Sequence, residues 1–477
     1  MKKRFVANVA GLVLVNLLIK PFWIFGIDRT VQNTVGAAAY GAYFALFNFS
    51  FLLQALLDFG INNYNSRAVA QEPQWLDKYF AGILTVKLLL TGLYLLLCLS
   101  GAYLLGYGGF EMWILTVLCV NQALLSFIGY FRSNLQGLHR FRSDGFMSVL
   151  DRVFMIAICA AILWGGFLPA PFKIEWFVYA QTAGYLLTAF VGIGLIAGHL
   201  HRPELNIDRS FLAGILRKSY PFALIGVLMS IYHRIDSVML EKMLPVDGAH
   251  EAGIYASAYR LLDAVNMVGV LLSTILLPMF ARMLIKGESV ASLVSFTAKG
   301  LYAFATAGAI CCFFFSEPIM NWLYIDATPY YASVFGWLML SFIAISSVYV
   351  FGALLTANHN LWQINTIALV SVVLNVGLNY LLIPQFKALG SSWAALFTQC
   401  MAALAFLMVA TKKLSFPIHY GTVLRVAAYL PACIGIAMLG ARSNFMAWQA
   451  TFLLSFIVCL FVAWVAGLLS FDKSVAG

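Results

Sequence analysis

A chain of 477 residues that is 62% hydrophobic and only 10% charged, with mean hydropathy +0.89, cannot clothe a soluble domain of that size in polar surface. The formal net charge of +10 comes with no nucleic-acid-binding motif, so the question it raises is which face of a membrane carries it. The eight cysteines all fall in apolar runs without metal-ligand spacing, and read as small packing residues rather than disulfides or metal ligands.

Apolar runs of about 20 residues recur from end to end, each long enough to cross a hydrocarbon core about 30 Å thick. The strands of a β-barrel would instead alternate apolar and polar residues over only about 10 positions. The expected fold is therefore all-α: a polytopic membrane protein with about 14 transmembrane helices. In chain order the spans fall at 5–27, 41–65, 79–105, 111–134, 145–167 and 174–198. After a longer connection they continue at 219–243, 252–281, 294–316, 330–357, 361–384, 389–411, 422–440 and 446–470. The basic start MKKRF resembles a signal peptide, but the apolar stretch behind it is too long and lacks a small-residue cleavage site. It is read as the first, uncleaved span.

Orientation follows from the loop cations. One side collects most of them, including Lys2, Lys3, Arg4, Arg67, Lys78, Arg132, Arg140, Lys286, Lys299, Lys412 and Lys413. The other side receives only Arg29, Lys173, Lys242, Lys387 and Arg442. The first side is therefore cytoplasmic and holds both termini. Trp75, Trp113, Trp176, Trp322 and Trp448 fall near span ends, as interfacial anchors do.

Spans one and two are echoed by spans seven and eight. Each pair has a cation late in its first helix (Lys20, Arg234) and an Ile-Asp step (Ile27-Asp28, Ile235-Asp236). Each then has Gly-x-Tyr opening the second helix (Gly41-Ala42-Tyr43, Gly253-Ile254-Tyr255). That spacing predicts two six-helix lobes, 1–205 and 206–411, as parallel pseudo-repeats, followed by helices 13 and 14 in 412–477.

Charge inside a span is costly, about 2.5–3.5 kcal/mol at a helix centre on insertion scales, so each such residue needs a partner or a wet surface. The cations in this position are Lys20, Lys87, Arg234 and Arg260, with Arg152 beside Asp151 as an interfacial pair. The acids are Asp58, Asp236 and Asp263. Gln54, Asp58 and Asn62 stand four apart and predict one polar helical stripe. Gln122 in span four, and Asn375 and Asn379 in span eleven, belong to similar ladders. Cations at several depths in both halves predict a wet cationic cavity between two bundles. Interhelical hydrogen bonding is the competing reading of the polar ladders.

The run VGAAAYGAYFALFNFSFLLQALLDFGINNYNSRAVA at 35–70 resembles the opening of bacterial polysaccharide flippases. These are the polysaccharide transport family of the multidrug/oligosaccharidyl-lipid/polysaccharide (MOP) exporter superfamily. The matching residues are Gly41, Tyr43, Asp58, Gly60 and Arg67. Further matches are FRSNLQGLHRF at 131–141, YHRIDSVML at 232–240, AGIYASAYRLLDAV at 252–265 and LNYLLIPQFKALGSSWAAL at 378–396. The resemblance implies a MATE-like fold, two lobes around a central cavity plus two C-terminal helices, in the bacterial inner membrane. It implies alternating access, with a polyprenyl-diphosphate-linked oligosaccharide moved from the cytoplasmic to the periplasmic leaflet for surface polysaccharide synthesis. Membrane lipids, a polysaccharide polymerase and chain-length machinery are the partners it implies.

On this reading Lys20, Lys87, Arg234 and Arg260 are substrate-cavity cations, and Gln54, Asn62, Gln122, Asn375 and Asn379 are polar cavity lining. Asp58, Asp236 and Asp263 are ion-coupling or structural acids; H+ or Na+ coupling would run through one of them, and no metal or other cofactor is expected. A lipid II flippase and a cation-coupled multidrug exporter are the alternatives within the superfamily. A membrane glycosyltransferase is disfavoured by short outer loops that lack paired acids.

Overall fold

The computed structural model describes residues 19, 21–72, 74–166, 171–200, 209–414, 420–443 and 446–469. Among these the chain is helical throughout, without a strand. A π-helical turn, Trp23–Asp28, runs directly into α1 (Arg29–Leu52), and a 3-10 turn, Gln54–Leu57, precedes α2 (Ile61–Gln71). Then come α3 (Trp75–Leu104), α4 (Gly109–Gly137), α5 (Phe141–Trp164), α6 (Ile174–Ala197) and α7 (Arg209–Met243). The chain continues through α8 (Gly248–Ile285), α9 (Ala291–Phe314), the short α10 (Ser316–Leu323), α11 (Pro329–Ala357) and α12 (Leu361–Leu414). It closes with α13 (Tyr420–Arg442) and α14 (Trp448–Val465). Eleven helices among the described residues are long and apolar enough to cross a membrane. The all-α polytopic architecture expected from composition is the one observed.

Two of these helices are broken, and the breaks divide crossings. At 1.5 Å per residue the 54 residues of α12 would reach about 80 Å, far beyond one bilayer core. Lys387, at φ 52° and ψ −131°, interrupts it, three residues after Pro384. This is where the sequence separates spans eleven and twelve. In α1 the break is Gly36, at φ 83° and ψ 164°, a conformation that glycine adopts without steric penalty. The sequence placed a loop over 28–40; helix instead fills most of it.

The second span departs from expectation more strongly. The predicted continuous helix over 41–65 ends at Leu52, and Phe59 (φ 47°) and Gly60 (φ 77°) interrupt it before α2 begins. The regular fourfold spacing of Gln54, Asp58 and Asn62 therefore does not lie on one helical stripe. The physical reason is the Phe59-Gly60 step, which no α-helix contains.

The chain divides into two compact units, Met1–Lys242 and Met243–Gly477. In the first, α4 is the hub, packed on α1, α2, α3, α5 and α6. In the second, α11 is the hub, packed on α8, α9, α10 and α12. Both hubs end in the same turn, 220 positions apart. His139 (φ 55°) and His359 (φ 58°) each take the left-handed conformation. Arg140 N–H then donates to Leu135 O at 2.8 Å, and Asn360 N–H to Leu355 O at 2.9 Å, each satisfying a carbonyl of the last helical turn. In the second unit α13 and α14 pack on α9 around Cys311, Cys433 and Cys459. Tyr429 is at their centre, its hydroxyl 3.1 Å from Ala303 O. All eight cysteines are free thiols.

α3 shows how a span divides its surface. Ile83, Lys87, Leu90, Tyr94 and Cys98, spaced three or four apart, are buried, while Leu88, Leu89, Leu93 and Leu96 face outward, where lipid would cover them. Close helix approach has its own signature at Gly137 of α4. A Cβ there would lie 2.6 Å from Val69 Cβ and 2.9 Å from Ser66 O, both on α2. Gly137→Ala is expected to destabilise the protein by about 1–3 kcal/mol through overpacking. Equilibrium unfolding in mixed micelles measures this, and unchanged stability would mean that α2 is free to shift.

Candidate functional site

The break between Leu52 and α2 exposes backbone that a helix would have satisfied internally, and Lys87 fills the gap. Its Nζ donates to Leu57 O (3.1 Å), Asp58 Oδ1 (3.1 Å) and Ser126 Oγ (2.8 Å). An ammonium has three N–H donors, and all three are taken. Ser126 Oγ in turn donates to Leu57 O at 2.8 Å, and Asn62 N–H reaches Asp58 Oδ1 at 3.3 Å. The Lys87 side chain is 1% exposed and that of Asp58 31%. In this conformation Lys87 and Asp58 form a structural pair that closes a broken helix. Asn62 and Gln54 are half-buried beside it.

A second polar centre lies where α7 meets α1. Arg234 Nη1 donates to Asn48 Oδ1 (3.1 Å), Asn48 Nδ2 donates to Ser237 Oγ (2.7 Å), and the guanidinium stands 5.1 Å from the Phe51 ring centroid. Arg234 is half-buried, and Asp236, two residues on, is buried. Farther along α7, Tyr107 Oη donates to Glu241 Oε2 at 2.6 Å, and Lys242 Nζ lies 3.3 Å from the Tyr107 ring centroid. Near the start of the chain Arg152 stands 5.3 Å from the Trp23 ring and 3.8 Å from Asp151 Oδ2. Lys20 lies outside the described residues.

In the second unit Arg260 and Asp263 sit one turn apart on α8, both half-buried. Asn375, Asn379 and Gln122 are each at most 1% exposed. Asn379 Nδ2 donates to Asn375 O at 3.0 Å, and Ser391 Oγ donates to Asn379 Oδ1 at 2.8 Å, joining the two limbs of α12. Gln122 Nε2 donates to Ser50 Oγ at 3.2 Å, from α4 to α1. Gln122 and Asn379 join separate helical segments, Asn375 supports Asn379 within its own limb, and all three are buried.

Three charged residues escaped the sequence reading. Asp28, placed in a loop, is 1% exposed and accepts from Tyr40 Oη at 2.8 Å. Lys299, counted as a loop cation, is buried on α9. Glu251 on α8 is buried and accepts from Tyr330 Oη (2.9 Å) and Ala388 N–H (3.2 Å), with Lys387 Nζ at 3.6 Å from its other oxygen. Lys387 also meets Asp247 at 2.7 Å outside the spans. That hydrogen bond holds the Asp247 carboxyl below its ordinary value and raises the Lys387 ammonium. Among the described residues no group of acids, histidines and cysteines is arranged to hold a metal ion.

The family model for "Polysaccharide biosynthesis protein" matches residues 5–284. No curated protein matches the chain. Solved structures give the fold. The lipid II flippase MurJ, in an inward closed conformation, is similar with a TM-score of 0.72 at 14% identity, covering 95% of this chain and 98% of that one. An inward-facing multidrug resistance MATE family transporter of the MOP superfamily gives 0.64 at 15% identity, covering 84% and 98%. A MOP superfamily transporter from Pyrococcus furiosus, described as having a binding pocket of reverse polarity, gives 0.60 at 16% identity, covering 84% and 94%. The chain is a multi-pass membrane protein with the MurJ/MATE-like fold, and it belongs to the polysaccharide biosynthesis protein family.

Proposed function

We propose that the protein is a flippase moving a polyprenyl-diphosphate-linked saccharide from the cytoplasmic to the periplasmic leaflet of the bacterial inner membrane. The observation that carries this reading is the match of residues 5–284 to a polysaccharide biosynthesis family. A fold shared with a lipid II flippase over 95% of the chain is consistent with it. That same likeness puts lipid II beside a polysaccharide repeat unit as a candidate cargo. The matching turns after α4 and α11 support two repeated halves, 1–205 and 206–411, and alternating access between them is the mechanism we propose.

Arg234, Arg260 and Lys20 are the proposed contacts to the diphosphate; Lys87, whose three N–H donors are all taken, is not one of them in this conformation. A guanidinium fork matches phosphate oxygens bidentately, and an ammonium supplies a point charge. An inside-negative potential helps an anionic headgroup outward by about 2.3 kcal/mol per charge per 100 mV. Asp58, Asp236 and Asp263 are the acids through which coupling to H+ or Na+ would run.

Proteoliposomes loaded with undecaprenyl-diphosphate saccharides, one a repeat unit and one lipid II, test this. The wild type is expected to move at least one. Lys20→Ala and Arg234→Ala are each expected to slow it about tenfold or more, the scale of one charge-assisted hydrogen bond. Transport with unaffected variants would discard these cations as contacts. Movement of a cationic dye instead of either lipid would make the protein a drug exporter.

A further inference from the structure

We propose that a pocket beside α2, at the cytoplasmic membrane surface, receives one sugar ring of the cargo. This rests on the lipid-linked saccharide reading above and adds a docking site to it. The pocket lies along α2, the helix that follows the Phe59-Gly60 turn. α2 then packs one face on α4, through Asn65 and Val69, and leaves the other open. Asn65 Nδ2 fixes that packing by donating to Ser133 Oγ (2.9 Å) and Asn134 Oδ1 (2.8 Å). The open face, with the start of α3, encloses about 330 Å³ lined by Tyr64, Arg67, Ala68, Gln71, Glu72 and Trp75. That is the small end of the range for small-molecule pockets, about 300–1,000 Å³.

The lining chemistry selects among ligands. Tyr64 and Trp75 have ring centroids 6.0 Å apart, and Tyr79 backs Trp75 at 4.1 Å. Such rings offer a broad apolar wall with a polar edge. Around it stand Arg67, a donor only, Glu72, an acceptor only, and Gln71, which is both. A sugar ring has the complementary form: an apolar C–H face and a rim of hydroxyls that both donate and accept. A diphosphate or an anionic phospholipid headgroup fits less well, because Glu72 opposes the charge that Arg67 would attract. An aliphatic chain would leave three polar side chains unused. The Lys and Arg bias puts Arg67 and Lys78 on the cytoplasmic side, with Trp75 at the interface. A headgroup still anchored in the inner leaflet therefore meets this pocket before it enters the protein.

The test uses the full-length protein in nanodiscs and three probes: undecaprenyl diphosphate bare, carrying N-acetylglucosamine, or carrying galactose. Dissociation constants are read by native mass spectrometry. The wild type is expected to bind at least one sugar-bearing lipid up to about tenfold tighter than the bare lipid, the scale of one aromatic stacking contact. Trp75→Ala and Arg67→Ala should reduce that advantage to about twofold or less, whereas Trp75→Phe should keep most of it. Thermal unfolding of each variant checks that it is folded. Equal binding of all three lipids by the wild type, or an undiminished sugar preference in both alanine variants, would overturn the pocket. So would equal weakening of all three lipids by Arg67→Ala, which would mark a phosphate site. If the wild type transports a sugar-bearing lipid while the variants keep its preference, only the pocket fails. If it neither binds nor transports one, the flippase reading fails with it.

Discussion

Lys87→Met is expected to cost the folded protein about 2–3 kcal/mol, read from equilibrium unfolding in mixed micelles. Methionine keeps the length and the apolar stem, so the loss isolates the ammonium. Three acceptors lose a donor at once: Leu57 O, Asp58 Oδ1 and Ser126 Oγ. Removing one partner of a fully buried pair costs about 3–5 kcal/mol. The lower figure applies here because Asp58 is 31% exposed and Leu57 O keeps the Ser126 hydroxyl. The double variant Lys87→Met/Asp58→Asn should recover about 1–2 kcal/mol relative to the sum of the single changes, since neither partner is then stranded. A variant as stable as the wild type but unable to translocate would give the opposite lesson: Lys87 would serve the cargo rather than the break at Leu53–Gly60.

What the sequence reveals here follows from which signals a membrane makes strong. Apolar runs of bilayer length and the Lys/Arg bias carry the all-α polytopic fold. The break at Lys387 is legible too, because Pro384 and the polar step after it interrupt an apolar run. The break after Leu52 is not, because Gln54, Asp58 and Asn62 keep helical spacing through a segment that is not α-helical. Gly60 was the available signal, and a glycine near the end of an apolar run is easily read as packing. Asp28 was misplaced for the converse reason. It lies between two apolar runs, as loop residues do, yet the chain turns eight residues later, at Gly36. Partners across the fold were beyond reach of spacing altogether. Nothing local pairs Lys87 with Asp58, or Arg234 with Asn48, 186 positions away.

Glu251→Ala is expected to destabilise the second unit by about 2–4 kcal/mol, because it removes the group that holds the strained turn inside α12. Lys387 is not glycine, yet it sits at φ 52°, a conformation costing about 1–3 kcal/mol that persists only where its surroundings over-determine it. Glu251 supplies most of that constraint. One carboxylate oxygen accepts both the Ala388 N–H and the Tyr330 hydroxyl, and the other faces the Lys387 ammonium. Asp247 holds the same ammonium from solvent, so its loss should matter less; Asp247→Asn is expected to unfold close to the wild type, as variants of exposed pairs do. Lys387→Gly separates strain from charge. It relieves the backbone while giving up both ion pairs, so its net cost should be smaller than that of Glu251→Ala. Unfolding in mixed micelles ranks the three variants, and limited proteolysis at 385–389 reports the turn itself. If Glu251→Ala proves as stable and as resistant to cleavage as the wild type, the turn is held by the packing of α11 and α12 alone, and the buried carboxylate must be kept for another purpose.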